Sequence, residues 1–173
     1  FTDNLPANVS LASGVSTNTC GGTVTNGTGG ALAAGDTSLR LNGGAFPVNS
    51  VCTITVVVTS NVAGIYSNVI PGGAITTAEG STNPDPTQAT LTVIAPPSIA
   101  KSFSPSSVAS GQPSTLTFTL TNPNSAALLP SGLSGAGFTD SLPAGVTVTL
   151  SGPAGGSCSG ASGNFLAAGA TAV

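Results

Sequence analysis

Lys101 is the only lysine in the chain, and it stands where an apolar residue belongs. Ile99, Lys101 and Phe103 alternate, so they share one face of a strand. Phe138, Asp140 and Leu142 do the same, as do Phe1, Asp3 and Leu5. Asn68 shares parity with Tyr66 and Ile70 and is expected to point into a core. Charges are almost never buried unpaired, and a buried Asn costs free energy unless it is satisfied. Two chemistries suit this set. One is a structural Lys–Asp ion pair with the Asn hydrogen-bonded close by. The other is an isopeptide bond. A neutral Lys amine attacks the Asn side-chain amide, ammonia leaves, and a protonated Asp polarises the carbonyl and shuttles the proton. Burial favours the uncharged forms that this reaction needs. The isopeptide candidates are Lys101, Asp140, Asp3 and Asn68.

Other chemistry is poorly provided for. There is no His, so no ordinary Ser–His pair, and no Gly-rich stretch has the strand–loop–Lys context of a phosphate loop. A catalytic set, a cofactor and a metal site are all expected to be absent. Asp36, Glu79 and Asp85 could serve calcium, but they are scattered, and Asp36 becomes Ala170 where the sequence repeats. Asn8-Val9-Ser10 and Asn26-Gly27-Thr28 match the N-glycosylation pattern, which chance produces readily in so Asn-, Ser- and Thr-rich a chain.

The elements that must position these residues form a tandem array. Phe1-Thr2-Asp3-Asn4-Leu5-Pro6-Ala7 returns 137 positions later as Phe138-Thr139-Asp140-Ser141-Leu142-Pro143-Ala144. Cys20 returns as Cys158, and Leu32-Ala33-Ala34-Gly35 as Leu166-Ala167-Ala168-Gly169. Three landmarks in one order, at a spacing the size of a domain, indicate whole-domain repeats. Ala95-Pro96-Pro97 breaks two strand patterns. Residues 1–95 then read as the later part of one repeat, 96–97 as the linker and 98–173 as the opening part of the next. Phe1 is not a start and the second half stops in mid-pattern, so the chain reads as a segment of something longer. One repeat runs in the order Lys, Asp, Asn. This chain holds Lys101 and Asp140 of one repeat but Asp3 and Asn68 of the other. Each lacks a member unless a neighbouring copy supplies it.

The strands read as apolar-in and Thr-out. Leu116, Phe118 and Leu120 alternate with Thr, as do Ile54, Val56 and Val58, Leu91 and Val93, and Val146, Val148 and Leu150. Turn chemistry separates them at Asn42-Gly43-Gly44, Pro71-Gly72-Gly73, Asn83-Pro84-Asp85-Pro86 and Asn122-Pro123-Asn124. No ten-residue segment has a helical period. The fold class expected is all-β, an antiparallel Ig-like β-sandwich repeated along the chain.

Lys101-Ser102-Phe103-Ser104-Pro105, Leu120-Thr121-Asn122-Pro123-Asn124, Phe138-Thr139-Asp140-Ser141-Leu142-Pro143 and Tyr66-Ser67-Asn68 resemble a family of bacterial surface repeats. These are conserved repeat domains of unknown function, found in tandem in very large secreted or cell-surface proteins. The resemblance implies an Ig-like sandwich and an extracellular or cell-surface address. It implies no particular ligand. Surface Ig-like domains of pilins and adhesins, which the chain resembles in architecture, are known to carry isopeptide bonds. In Ig domains a Tyr precedes the second core Cys by two residues. Tyr66 fits that place, with Asn68 standing where the Cys would be.

The cysteines fit a secreted setting. Cys52 shares parity with Ile54 and Val56, and a bond to Cys20 closes a loop of about 32 residues, worth roughly 3–4 kcal/mol. Two free buried thiols are the alternative. Cys158 repeats Cys20 and is expected to be unpaired within the chain, or paired outside it.

Composition narrows the function. Charged residues are 4% of the chain, against about 25% in an ordinary soluble domain, and the net charge is −3. That leaves no footprint for nucleic acid and little repulsion between copies. The longest aliphatic run, Val56-Val57-Val58, is far from a membrane span. The function expected is a structural repeat module of an extracellular surface protein, a stalk or filament, whose partners are other copies of itself or adjacent repeats, head to tail. The alternatives are an adhesin or ligand-binding module and an accessory Ig-like domain of a secreted hydrolase. An adhesin should show an aromatic platform, and one Tyr, no Trp and inward Phe residues do not make one.

Overall fold

A computed structural model of the chain describes residues 1–45, 47–149, 152–153, 165–166 and 169–171. The fold is all-β and antiparallel, with no helix among the described residues and hence none long and apolar enough to cross a membrane. Among the described residues eleven strands follow in order: β1 Thr2–Asn4, β2 Ser10–Asn18, β3 Thr23–Thr25, β4 Ser38–Asn42, β5 Ile54–Thr59, β6 Gly64–Ile70, β7 Thr87–Val93, β8 Ser98–Ser104, β9 Thr115–Thr121, β10 Gly152–Pro153 and β11 Phe165–Leu166. They form one three-stranded sheet, in the order β1-β4-β3, and four pairs: β2 with β5, β6 with β7, β8 with β9, and β10 with β11.

The chain divides into two compact units. Unit 1 is Phe1–Pro96 with Asn122–Gly132, and unit 2 is Pro97–Thr121 with Leu133–Val173. The first break falls between the two linker prolines, neither of which can donate a ladder hydrogen bond.

Among the described residues the core lies in unit 1. Val9, Leu11, Cys20, Leu39 and Leu41 are its buried apolar residues, and Leu11 is only 1% exposed. Leu39 and Leu41 lie two apart on β4, so period-two alternation aims both inward and leaves Arg40 outside. Burying one such Leu contributes about 1.5–3 kcal/mol. The β2–β5 ribbon carries register shifts between Leu11 and Val15 and between Val15 and Thr17. Beyond them Thr19 extends the ribbon: its N–H donates to Thr53 O at 2.9 Å, and its hydroxyl accepts from Thr53 N–H at 2.8 Å. The ribbon ends in a disulfide between Cys20 and Cys52, with Cα atoms 4.8 Å apart.

In unit 2, β8 and β9 make a regular hairpin from Ser98↔Thr121 to Ser104↔Thr115. Ile99↔Leu120, Lys101↔Phe118 and Phe103↔Leu116 put the alternating apolar residues opposite one another on one face. That face is largely uncovered: Ile99 is 54% and Phe103 40% exposed.

One expected strand is not formed. Residues 144–149 are turn and irregular backbone, and Leu150 lies outside the described residues. The counterpart of Val148 in the repeat is Leu11, and Leu11 belongs to a strand because β5 pairs with it, at Leu11↔Val58. Unit 2 has no counterpart of β5 among its described residues. An alternating pattern without a partner strand does not extend into a ladder.

Candidate functional site

Asp3 is the one buried charged or polar residue among those described, held in β1 opposite Leu39 of β4. Its companion comes from β6, where Asn68 alternates with Tyr66 and Ile70. Asn68 Nδ2 donates to Asp3 Oδ2 at 2.8 Å. That bond occupies one atom of each group. Asp3 Oδ1 and Asn68 Oδ1 are buried with no hydrogen-bond partner. Both residues line a cavity of about 220 Å³, together with Tyr66, Val56, Val58 and Leu91. An unpaired buried polar atom costs about 1–3 kcal/mol, so two beside one cavity mark an unfinished network.

Unit 2 holds the other pair. Lys101 Nζ lies 2.9 Å from Asp140 Oδ1, with side-chain exposures of 45% for the Lys and 19% for the Asp. Asp140 Oδ2 is buried without a partner. The cross-strand neighbour of Lys101, Phe118, packs on Phe138 with ring centroids 4.9 Å apart. The hairpin thus reads the Phe-Thr-Asp motif twice, through an aromatic pair at its first residue and an ion pair at its third. Lys101 lies on the apolar face as parity requires, but the uncovered face leaves its side chain in water.

Asp3 and Asp140 sit on one scaffold built twice. Leu5 N–H donates to Thr37 O at 2.8 Å, and Leu142 N–H to Thr171 O at 2.8 Å. Leu11 N–H donates to Asp36 O at 2.8 Å, and Val148 N–H to Ala170 O at 3.0 Å. Gly35 N–H returns a bond to Leu11 O at 2.8 Å, and Gly169 N–H to Val148 O at 2.7 Å. Gly35 and Gly169 have φ of 92° and 84°, a region that favours glycine, which accounts for the repeated Leu-Ala-Ala-Gly. Asn8 and Gly145 are likewise matched, with φ of 69° and 84°.

The structure therefore brings Asp3 to Asn68 and Lys101 to Asp140, each pair inside its own unit. Cys20 and Cys52 are bonded to each other. Cys158 lies outside the described residues. Tyr66 Oη donates to Val62 O at 2.8 Å, four residues upstream, and Gly64 leaves room for the ring: a Cβ there would stand 3.1 Å from Tyr66 Cζ. Asp36, Glu79 and Asp85 do not converge, since no three His, Cys, Asp or Glu side chains cluster among the described residues. Asp36 instead closes its own loop, accepting from Ala33 N–H at 2.8 Å. Asn26 organises its turn by accepting from Thr28 N–H, Thr28 Oγ1 and Gly30 N–H.

One residue escaped the sequence reading. Asn124, expected only as turn chemistry, grips the backbone of Ala95 on both sides. It accepts from Ala95 N–H at 2.7 Å and donates to Ala95 O at 2.9 Å. The nearby Pro-Pro pair was the available signal, because a chain stripped of ladder donors needs another anchor.

No curated protein and no solved structure matches the chain significantly. A family model does, over residues 1–93 and again over residues 97–173, the two matches flanking the linker. Covered almost throughout and twice by the same model, the chain belongs to the family described as Domain of unknown function (DUF7933).

Proposed function

We propose that the chain is a structural repeat module of an extracellular surface protein, built from Ig-like sandwiches whose opening hairpin and closing body come from adjacent copies. The observation that carries this is the doubled scaffold with differently filled aspartates. Among the described residues, unit 1 has the body and no hairpin on Asp3, and unit 2 has the hairpin on Asp140 and no counterpart of the body. Three features support the reading. The uncovered face of β8–β9 offers apolar area for burial. The Tyr66 bond to upstream backbone has the form of a tyrosine corner. The disulfide suits an oxidising compartment, and a surface so poor in charge lets copies approach. Completion of one copy by the next is a head-to-tail contact, which propagates into a filament or stalk and not a closed dimer. The role is mechanical, with no substrate turned over.

Sedimentation velocity of the purified chain over a wide concentration range tests this. Association that grows with concentration, with threads in negative-stain electron microscopy, is expected. A monomer throughout the range would overturn the proposal.

A further inference from the structure

Resting on that reading, we infer that Asn68, Asp3 and the Lys101 of a second copy form one self-cross-linking site, in which the two copies become joined by a Lys–Asn amide bond. The occupant of the cavity beside Asp3 is the β8–β9 hairpin of that second copy.

The scaffold equivalence sets the geometry. In unit 2 the hairpin places Lys101 Nζ 2.9 Å from one carboxylate oxygen of Asp140 and leaves the other buried and unpartnered. In unit 1 one carboxylate oxygen of Asp3 takes Asn68 Nδ2 at 2.8 Å, and the other is buried and unpartnered. What each aspartate lacks is what its counterpart has. A hairpin released from Asp140 and seated on Asp3 of the second copy in the same way exchanges one carboxylate for the other and puts the Lys amine on the vacant oxygen. One carboxyl group then holds the attacking and the departing nitrogen side by side, at the mouth of the cavity lined by both Asp3 and Asn68. The same docking sets Phe118 against Phe1, as Phe118 meets Phe138 in unit 2. It also covers Ile99, Phe103 and Leu120, which otherwise remain exposed.

The arrangement matches the reaction. The uncharged amine of Lys101 attacks Asn68 Cγ, with Asp3 standing between the two nitrogens as the proton relay. The new C–N bond forms as the Cγ–Nδ2 bond breaks. The Lys nitrogen loses a proton to the Asp, the Asp returns one to Nδ2, and ammonia departs. Amine plus primary amide becomes secondary amide plus ammonia, with the carboxyl group ending as it began. Closure of the apolar hairpin over the site excludes water. Holding the two groups in contact supplies the orientation such a reaction requires.

The test lengthens the full chain after Thr171 by a second copy of residues 38–96, so that Lys101, Asp140 and the added Asn68 fall in one repeat. Intact mass short by one ammonia is expected, with a Lys101–Asn68 cross-linked peptide in the digest. Lys101→Arg, Asp140→Ala and Asn68→Ala in the added copy should each restore the full mass. A disulfide between Cys158 and the added Cys52 reports separately that the repeat has closed. Closure with full mass would overturn the covalent inference and leave the structural reading standing. Neither closure nor ammonia loss would overturn both. In the unaltered chain, concentrated samples should give a ladder that resists boiling in detergent and vanishes in Lys101→Arg. A ladder that survives that substitution would count against Lys101.

Discussion

Asp3 and Asp140 occupy the same place on two copies of one scaffold and keep different company. Asp3 is buried, and its partner is a neutral amide. Asp140 faces a hairpin, and its partner is a half-exposed ammonium. The local motif fixes where each carboxylate stands. The surrounding strands decide what it bonds to and how strongly that bond acts, because an interaction gains strength as water is removed from it. The two units share a motif and differ in almost everything that makes the motif stable.

Substitutions can break or sharpen this contrast. The largest expected effect is loss of the disulfide: Cys52→Ala, or reduction, should destabilise unit 1 by roughly 3–4 kcal/mol. Hydrogen exchange should then rise across β2 and β5 and stay unchanged in β8–β9. Equal acceleration in both units would mean that they unfold as one. Leu11→Ala should cost about 3 kcal/mol in urea unfolding, since the side chain is enclosed. Val148→Ala, at the equivalent but only half-buried place, should cost well under half of that, and matching losses would show that unit 2 has a hidden core. Asn68→Ala strands a buried Asp3 and should cost about 2 kcal/mol. Asp3→Asn in the same background is expected to recover part of the loss, because it removes the buried charge. The smallest effect belongs to Lys101→Ala. An ion pair with so exposed a lysine contributes below about 1 kcal/mol, and a larger fall in melting stability would mean that the pair is already covered.

Legibility in the sequence followed regularity. β9 alternates cleanly between apolar residues and Thr, and β5 and β7 do so apart from Val57 and the Thr87-Gln88 start, so their faces could be read from parity. β2 could not, because the register shifts around Val15 break the alternation over Ser10–Asn18. The short strands β3 and β4 hide among glycines and asparagines that read as loop. Residues 146–149 show the opposite fault: they alternate like a strand, but strand formation also needs a neighbouring strand to pair with. The inward placement of Asp3 and Asn68 was legible, whereas their mutual hydrogen bond was not, since parity gives a side chain's face and says nothing about what faces it. Asn124 was hidden for the same reason, its partner Ala95 lying 29 positions away.

The Cys20–Cys52 bond, described above as the end of the β2–β5 ribbon, also sets how far the chain can be drawn out under load. A pull on the two ends of unit 1 passes through the sulfur bridge and bypasses the loop it closes, so the 32-residue separation is never released. At ~3.5 Å per extended residue, that withholds on the order of 110 Å of contour length while the bridge is intact. Force–extension traces of oxidised and reduced chain should differ by about this length, and the oxidised chain should behave as the shorter, stiffer tether.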